Sequence, residues 1–325
     1  MGAAFIWRGF AMHTAIPLTV LATALACSLA TTPVNARARV FVASYGNDEN
    51  PCTFGSPCKT FQQAVNVVDA GGEVTAIDSA GFGPISIGKS VTITSPPGVE
   101  AGIVPNAGND AIDILAGPTD TIVLRGLTLQ GGGSGLFGIN AVTGGNLEIV
   151  DCAIRGFRTA GIFADNQSAQ MSVAILNTLV ADTPLGIQIG TNAGAMLVAM
   201  DGVKVNNNSN AGIFLSGNPG FALEVSIANS RIDNAGSTGL SIQGFSPTLA
   251  VAYLRNVTIT QTPIGINLNG NSVIYLSQVQ QQEFFGFTNV AGIKFGGTGN
   301  VAFSDSTNHI QGSLDGGSLT SWAFQ

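Results

Sequence analysis

The sequence predicts an all-β chain wound as a parallel β-helix of about nine rungs, each of about 26 residues, behind a short N-terminal capping helix. Three observations carry this. An aliphatic residue recurs at Ile85, Ile112, Ile139, Ile162, Ile187, Ile213, Leu240, Ile266 and Ile293, at intervals of 23 to 27 residues, and seven of the nine follow a glycine, from Gly138 to Gly292. A second column about ten residues further on reads Gly126, Asp151, Asn177, Gly202, Asn229 and Asn256, then less clearly Gln278 and Asp305. Between these columns apolar and polar residues alternate with period two, the strand signal, and helical periodicity is absent after residue 70.

The second column has a physical reading. Gly, Asn and Asp share a tolerance of left-handed backbone angles, which a sharp bend between two strands requires. Stacked Asn side chains can also bond to one another along a column, as ladders do in cross-β structures. Stacking like units puts like on like, so each strand pairs in parallel with its counterpart one unit away and inward aliphatics form continuous columns. Nine rungs at about 4.8 Å make a rod of roughly 43 Å. A leucine-rich repeat shares this period but needs a helical segment and a denser Leu pattern, and a propeller needs blades of about 40 residues.

Taken in order, residues 1–36 read as a signal peptide. Ile16 to Ala30 are almost wholly apolar or small, follow Arg8 and His13, and are too short to span a bilayer. Small residues place the cut after Ala36 or Ala38, with Ala36 favoured. A buried or anchoring helix and a lipoprotein cut before Cys27 are the alternatives. Residues 37–325 then form a single β-helix domain. Residues 59–69 are the cap helix, with Phe61, Ala64, Val65 and Val68 on one face; 84–303 are the rungs; 304–325, ending in Trp322 and Phe324, form a C-terminal cover. Both ends of such a rod need covering against end-to-end strand pairing.

Composition narrows the chemistry. Only 10% of the 325 residues are charged, with 12 Lys and Arg against 19 Asp and Glu, for a formal charge of −7. Loss of Arg8 with the leader makes the mature chain one unit more negative. Nothing here is a nucleic-acid footprint, and no later window spans a membrane. Cys52 and Cys58 flank a short loop and read as a local disulfide in an exported chain; a metal site would need more ligands. Cys152 sits in an aliphatic run and reads as a buried apolar residue, with His309 too distant in sequence to be its base. No cofactor or metal set is present in the sequence.

Val40-Phe-Val-Ala-Ser-Tyr-Gly-Asn-Asp48, Asn50-Pro-Cys-Thr53, Ser56-Pro-Cys-Lys-Thr-Phe61 and Ala64-Val65 resemble the opening of exported bacterial β-helix proteins of the pectin-lyase-like superfamily. The resemblance implies a right-handed coil and an Asn ladder in the bend column. It transfers no activity, because this fold hosts many. The chain lacks the Gly-His-Gly and paired aspartates of polygalacturonase-like hydrolases, the Asp-Pro-His of alginate-lyase relatives and the acidic cluster of pectate lyases.

One surface could carry chemistry. Counted from the bend, Lys204 aligns with Arg231, Arg155 aligns with Asp233, Asp182 follows one position further on, and Arg158 lies just beyond Arg155. These five candidates (Arg155, Asp182, Lys204, Arg231 and Asp233) share one face across four rungs. A Lys or Arg base beside a second cation could run β-elimination without a histidine. Cross-strand salt bridges, each contributing about 0.2–1 kcal/mol, would give the same pattern. Asp151, in the bend column, reads as structural, and His309 as exposed.

The preferred function is a non-catalytic exported rod, secreted or periplasmic, that interacts with extracellular polysaccharide through Asn206 to Asn208, Asn234 and Gln261 or serves as an envelope scaffold. The alternative is a polysaccharide lyase or hydrolase with an atypical site on the Arg155–Asp233 face. Aromatics at 7% leave few sugar-stacking platforms.

Overall fold

A computed structural model describes residues 37–167, 170–282 and 291–321. The expected leader and its cleavage site, and Trp322 and Phe324, lie outside the described residues. The chain forms a parallel β-solenoid. Each coil lays down one strand on each of three sheets, of 12, 10 and 10 strands among the described residues. We call them sheets I, II and III in chain order. One coil runs Asn146–Val150 on sheet I, Ala153–Arg155 on sheet II and Ala160–Asn166 on sheet III.

The aliphatic column predicted from spacing is one continuous register on sheet III. Ile85 pairs with Ile112, and the pairing passes through Ile139, Ile162, Ile187, Ile213, Leu240 and Ile266 to Ile293. All nine are buried. Sheet I sends Ile149, Ile175, Met200, Ile227, Leu254 and Leu276 into the same core in successive register. The residues just before the sheet III column are glycines for want of space. A Cβ on Gly161 would stand 2.2 Å from Val180 Cγ1 on sheet II, and one on Gly186 would stand 2.4 Å from the Gly212 carbonyl oxygen of the next coil. The close approach of sheets II and III at this corner admits nothing larger than hydrogen.

The bend between sheets I and II is left-handed. Gly126, Asp151, Asn177, Gly202, Asn229, Asn256 and Gln278 all have φ between 49° and 71°. Asn256 Nδ2 donates to Asn229 Oδ1 at 2.9 Å. The coil below Asn229 has Gly202 in the column, so Asn229 Nδ2 reaches Asp201 Oδ1 instead, also at 2.9 Å. Asp305 does not share the left-handed angle.

A second left-handed column, at the bend between sheets II and III, is absent from the spacing argument. Gly156, Asp182, Asn207, Asn234 and Gln261 have φ between 51° and 72°. Asn207 Nδ2 donates to Asp182 Oδ1 at 3.0 Å, and Asn234 Nδ2 to Asn207 Oδ1 at 2.5 Å.

The N-terminal end is closed by the helix Phe61–Val67, shorter at each end than the expected 59–69. Thr60 caps it by accepting the Gln63 N–H, and Asp48 accepts the Lys59 and Thr60 N–H groups at 2.8 Å. Phe61 packs on Phe82 with ring centroids 4.9 Å apart. Gln62 Oε1 accepts the backbone N–H of Ser86 at 2.8 Å, so the helix satisfies the exposed edge of sheet III directly. Cys52 and Cys58 form a disulfide in the preceding loop.

At the other end the expected cover over 304–325 takes a different form. Strands His309–Ile310, Ser313–Asp315 and Leu319–Ser321 extend all three sheets, and Leu314 continues the aliphatic column from Ile293. The segment loses the sequence period because its strands shorten to two or three residues, while backbone pairing continues. Leu314 stays 41% exposed.

The bend columns predict a graded response. Asn256→Ala forces a Cβ-bearing residue with no compensating side chain into a left-handed angle and removes one ladder bond, at a cost of about 1–2 kcal/mol. Asn256→Gly keeps the angle accessible and loses less. Urea unfolding of the two variants measures the order.

Candidate functional site

Four of the five sequence candidates lie on strands of sheet II, and Asp182 is the bend residue just after the strand Leu179–Ala181. Lys204 pairs with Arg231, and Arg155 with Ala181, then Asn206, then Asp233. Their side chains do not converge. Arg231 Nη2 holds Asp233 Oδ2 at 3.1 Å and Thr260 Oγ1 at 3.1 Å. Thr260 in turn donates to Asp233 Oδ1 at 2.5 Å. Asp233 is therefore engaged on both oxygens, and Arg231 holds it along one strand. Asp182 belongs to the second bend column, where it accepts from Asn207. Arg155 and Lys204 are exposed and lie two strands apart along the sheet, with Asp233 one strand beyond Lys204.

The polar residues expected to meet sugars are also structural in part. Asn207, Asn234 and Gln261 hold left-handed bends. Asn208 is buried and donates to the Thr183 carbonyl and hydroxyl oxygens at 3.1 and 2.8 Å. His309 is exposed beside Gln311. Cys152 is buried, and burial pushes its thiol up to about 11, which leaves it protonated and unreactive.

The outer face of sheet I presents a different arrangement. Residues three before each bend form one outward column: Glu148, Ala174, Ala199, Ser226, Tyr253, Tyr275 and Phe303, in unbroken register. Ala174, Ala199 and Ser226 floor a depression of about 340 Å³, also lined by Ser172, Leu197 and Glu224. Glu148 stands at one end. At the other, the Tyr253, Tyr275 and Phe303 rings stack face to face, with centroids 4.9 and 4.8 Å apart and planes within 9°. Each inner ring face is covered by its neighbour. Tyr253 follows Ser226 in register, so the outer face of the stack has only a small side chain before it. Leu197, 45% exposed, walls one side.

The electrostatics fit a binding surface better than a catalytic pair. Glu148 faces Arg125 at 3.7 Å. Glu148 and Glu224 lie three strands apart, roughly 14 Å along the rod. Paired glycosidase carboxylates stand about 5–9.5 Å apart. Burial raises the Tyr253 phenol above its usual range, with the Glu224 carboxylate and Tyr275 adding to it; Glu224 lies on the neighbouring strand, two residues from Ser226, the register partner of Tyr253. Among the described residues no group of three or more His, Cys, Asp or Glu could hold a metal ion, and no helix is long and apolar enough to cross a membrane.

The sequence argument passed over this column because it looked for rare polar residues. A usable signal was present: Tyr253 and Tyr275 each stand three residues before a bend residue, Asn256 and Gln278.

Comparison with solved structures places the fold. Pectate lyase Pel9A superposes with a TM-score of 0.59 at 15% identity, over 88% of this chain and 78% of that one. The enzymatically active domain of bacteriophage CBA120 tailspike protein 2 gives 0.55 at 14% identity, over 84% of this chain and 48% of that one. This chain thus spans about half the length of the tailspike domain. At these identities the likeness is one of fold, the pectin-lyase-like right-handed β-helix. No protein-family model matches the chain, and no curated protein matches it.

A second acidic site, on sheet III, has a measurable consequence. Asn140 Nδ2 bridges Asp110 Oδ2 at 2.8 Å and Asp113 Oδ1 at 3.2 Å. Burial, followed by the neighbouring Asp110, raises the Asp113 carboxyl to about 6. The folded state therefore holds a proton that the unfolded state releases at lower pH. This contribution to stability is complete below the ordinary carboxylate range and disappears as pH rises through about 6. Thermal unfolding of Asp113→Asn against wild type across pH 4 to 8 should show the variant gaining relative stability as pH rises through about 6.

Proposed function

We propose that this protein is an exported, non-catalytic β-helix that holds a polysaccharide chain on the outer face of sheet I. The observation that carries the reading is the depression floored by Ala174, Ala199 and Ser226, with the Tyr253 stack next in register after Ser226. Pyranose rings present a face of C–H groups to an aromatic ring and hydroxyls to its surroundings. The stack supplies the first partner. Ser172, Ser226, Glu148 and Glu224 supply hydrogen-bond partners around it. Tyr275 and Phe303 hold the Tyr253 ring upright from behind, so the platform is formed before a ligand arrives.

The fold likeness to a pectate lyase and a tailspike domain is compatible with a polysaccharide ligand. The disulfide and the apolar leader support a secreted or periplasmic location. The lyase alternative on sheet II has less in its favour, because Arg231 is bound to Asp233 and Thr260.

Titration calorimetry with a panel of oligosaccharides tests the reading. Tyr253→Ala should lower the affinity for the bound glycan about tenfold, equivalent to about 1.4 kcal/mol. Unchanged affinity in that variant would remove the sheet I face from consideration. An assay for unsaturated products on uronate polymers should give no signal; turnover lost in both Lys204→Ala and Arg231→Ala would establish the lyase instead. N-terminal sequencing of the exported protein should begin at Arg37.

A further inference from the structure

We infer that the glycan held on sheet I is electrically neutral, and not a polyuronate. The inference rests on the glycan reading above and adds the class of ligand. It follows from which charges face the depression. Glu148 and Glu224 line it, and no cation does. The Arg125 guanidinium already faces Glu148 at 3.7 Å. Among the described residues Glu224 has no ion pair, and it lies on the strand next to that of Tyr253. Asp201, in the neighbouring outward column, accepts the Asn229 amide and adds a third negative group to the face. Arg255 shares that column two strands beyond Asp201, alongside the ring stack rather than in the depression.

A sugar carboxylate seated in the depression over Ala199 would stand one strand from Glu224, about 5 Å along the rod, and two strands from Arg255, about 10 Å. The first separation is shorter than the Debye length of about 8 Å at physiological salt, so screening does not remove the repulsion. The chain as a whole carries a formal charge of −7, which opposes the approach of a polyanion as well. A neutral sugar meets the same groups favourably. Ionised carboxylates only accept hydrogen bonds, and hydroxyl groups are donors. Alanines on the floor and Leu197 on the wall suit the apolar faces of the ring. A cationic amino-sugar polymer would be drawn to Glu224, but the lining offers it one unpaired carboxylate amid apolar surface.

The test uses the full mature chain and three oligosaccharides of matched length. These are a neutral hexose oligomer, an oligogalacturonate and a deacetylated glucosamine oligomer, each titrated at low and at physiological salt. The neutral oligomer should bind at least tenfold tighter than the oligogalacturonate, with less than a twofold change between salts. Glu224→Lys, at an exposed position, should raise oligogalacturonate affinity and narrow that gap. Tighter binding of either charged oligomer overturns the inference and leaves the glycan reading standing. Binding of none of the three, by a chain whose circular dichroism shows it folded, removes the glycan reading and this inference with it.

Discussion

The structure depends on the chain reversing direction through left-handed bends at the same place in coil after coil. Between sheets I and II that residue is Gly, Asn, Asp or, once, Gln. Each choice meets one condition, a φ near +50° to +70° at little cost. Once the bends superpose, the strands on either side fall into register without further instruction. The Asn side chains then add bonds along the column, and where a glycine interrupts it the next Asn reaches for Asp201 instead.

Register makes every outward position a column, and this governs what chemistry the surface can hold. Like residues meet at the spacing between strands. Rings gain from this arrangement, as Tyr253, Tyr275 and Phe303 show. Like charges lose by it, and the 10% charged content follows. A run of small residues in one column gives a flat-floored depression, here Ala174, Ala199 and Ser226 between Glu148 and Tyr253. Shape on this rod is therefore written by side-chain size along a column, with no loop needed to build a wall.

The same lattice sets how the charged groups of sheet II are arranged. Arg155, Lys204 and Arg231 are carried on three of four neighbouring strands and are exposed. Where a carboxylate falls within reach of one, as Asp233 does beside Arg231, the two bind each other and a threonine from the next coil. On sheet I, Glu148, Glu224, Ser172 and Ser226 surround a space, although Glu148 also faces Arg125.

Much of this was legible in residue order. The aliphatic column from Ile85 to Ile293 and the bend column from Gly126 to Asn256 are single-residue signals with a constant period, and each depends on a local property: burial in one case, backbone angle in the other. The second bend column was hidden because Gly156, Asp182, Asn207, Asn234 and Gln261 vary in type and lie among other polar residues; Asn207, Asn234 and Gln261 read as a sugar-binding surface and Asp182 as a catalytic candidate. The last turn was hidden too, because pairing of backbone groups at 309–321 needs no side-chain period. What the amino-acid sequence determined alone was the coil and its repeat, since both follow from what one residue tolerates. Which polar groups are spent on one another, and where three rings and three small residues leave a space, only the tertiary structure decided. Those outcomes depend on distances between side chains about 26 residues apart, and they exist only once one coil lies upon the next.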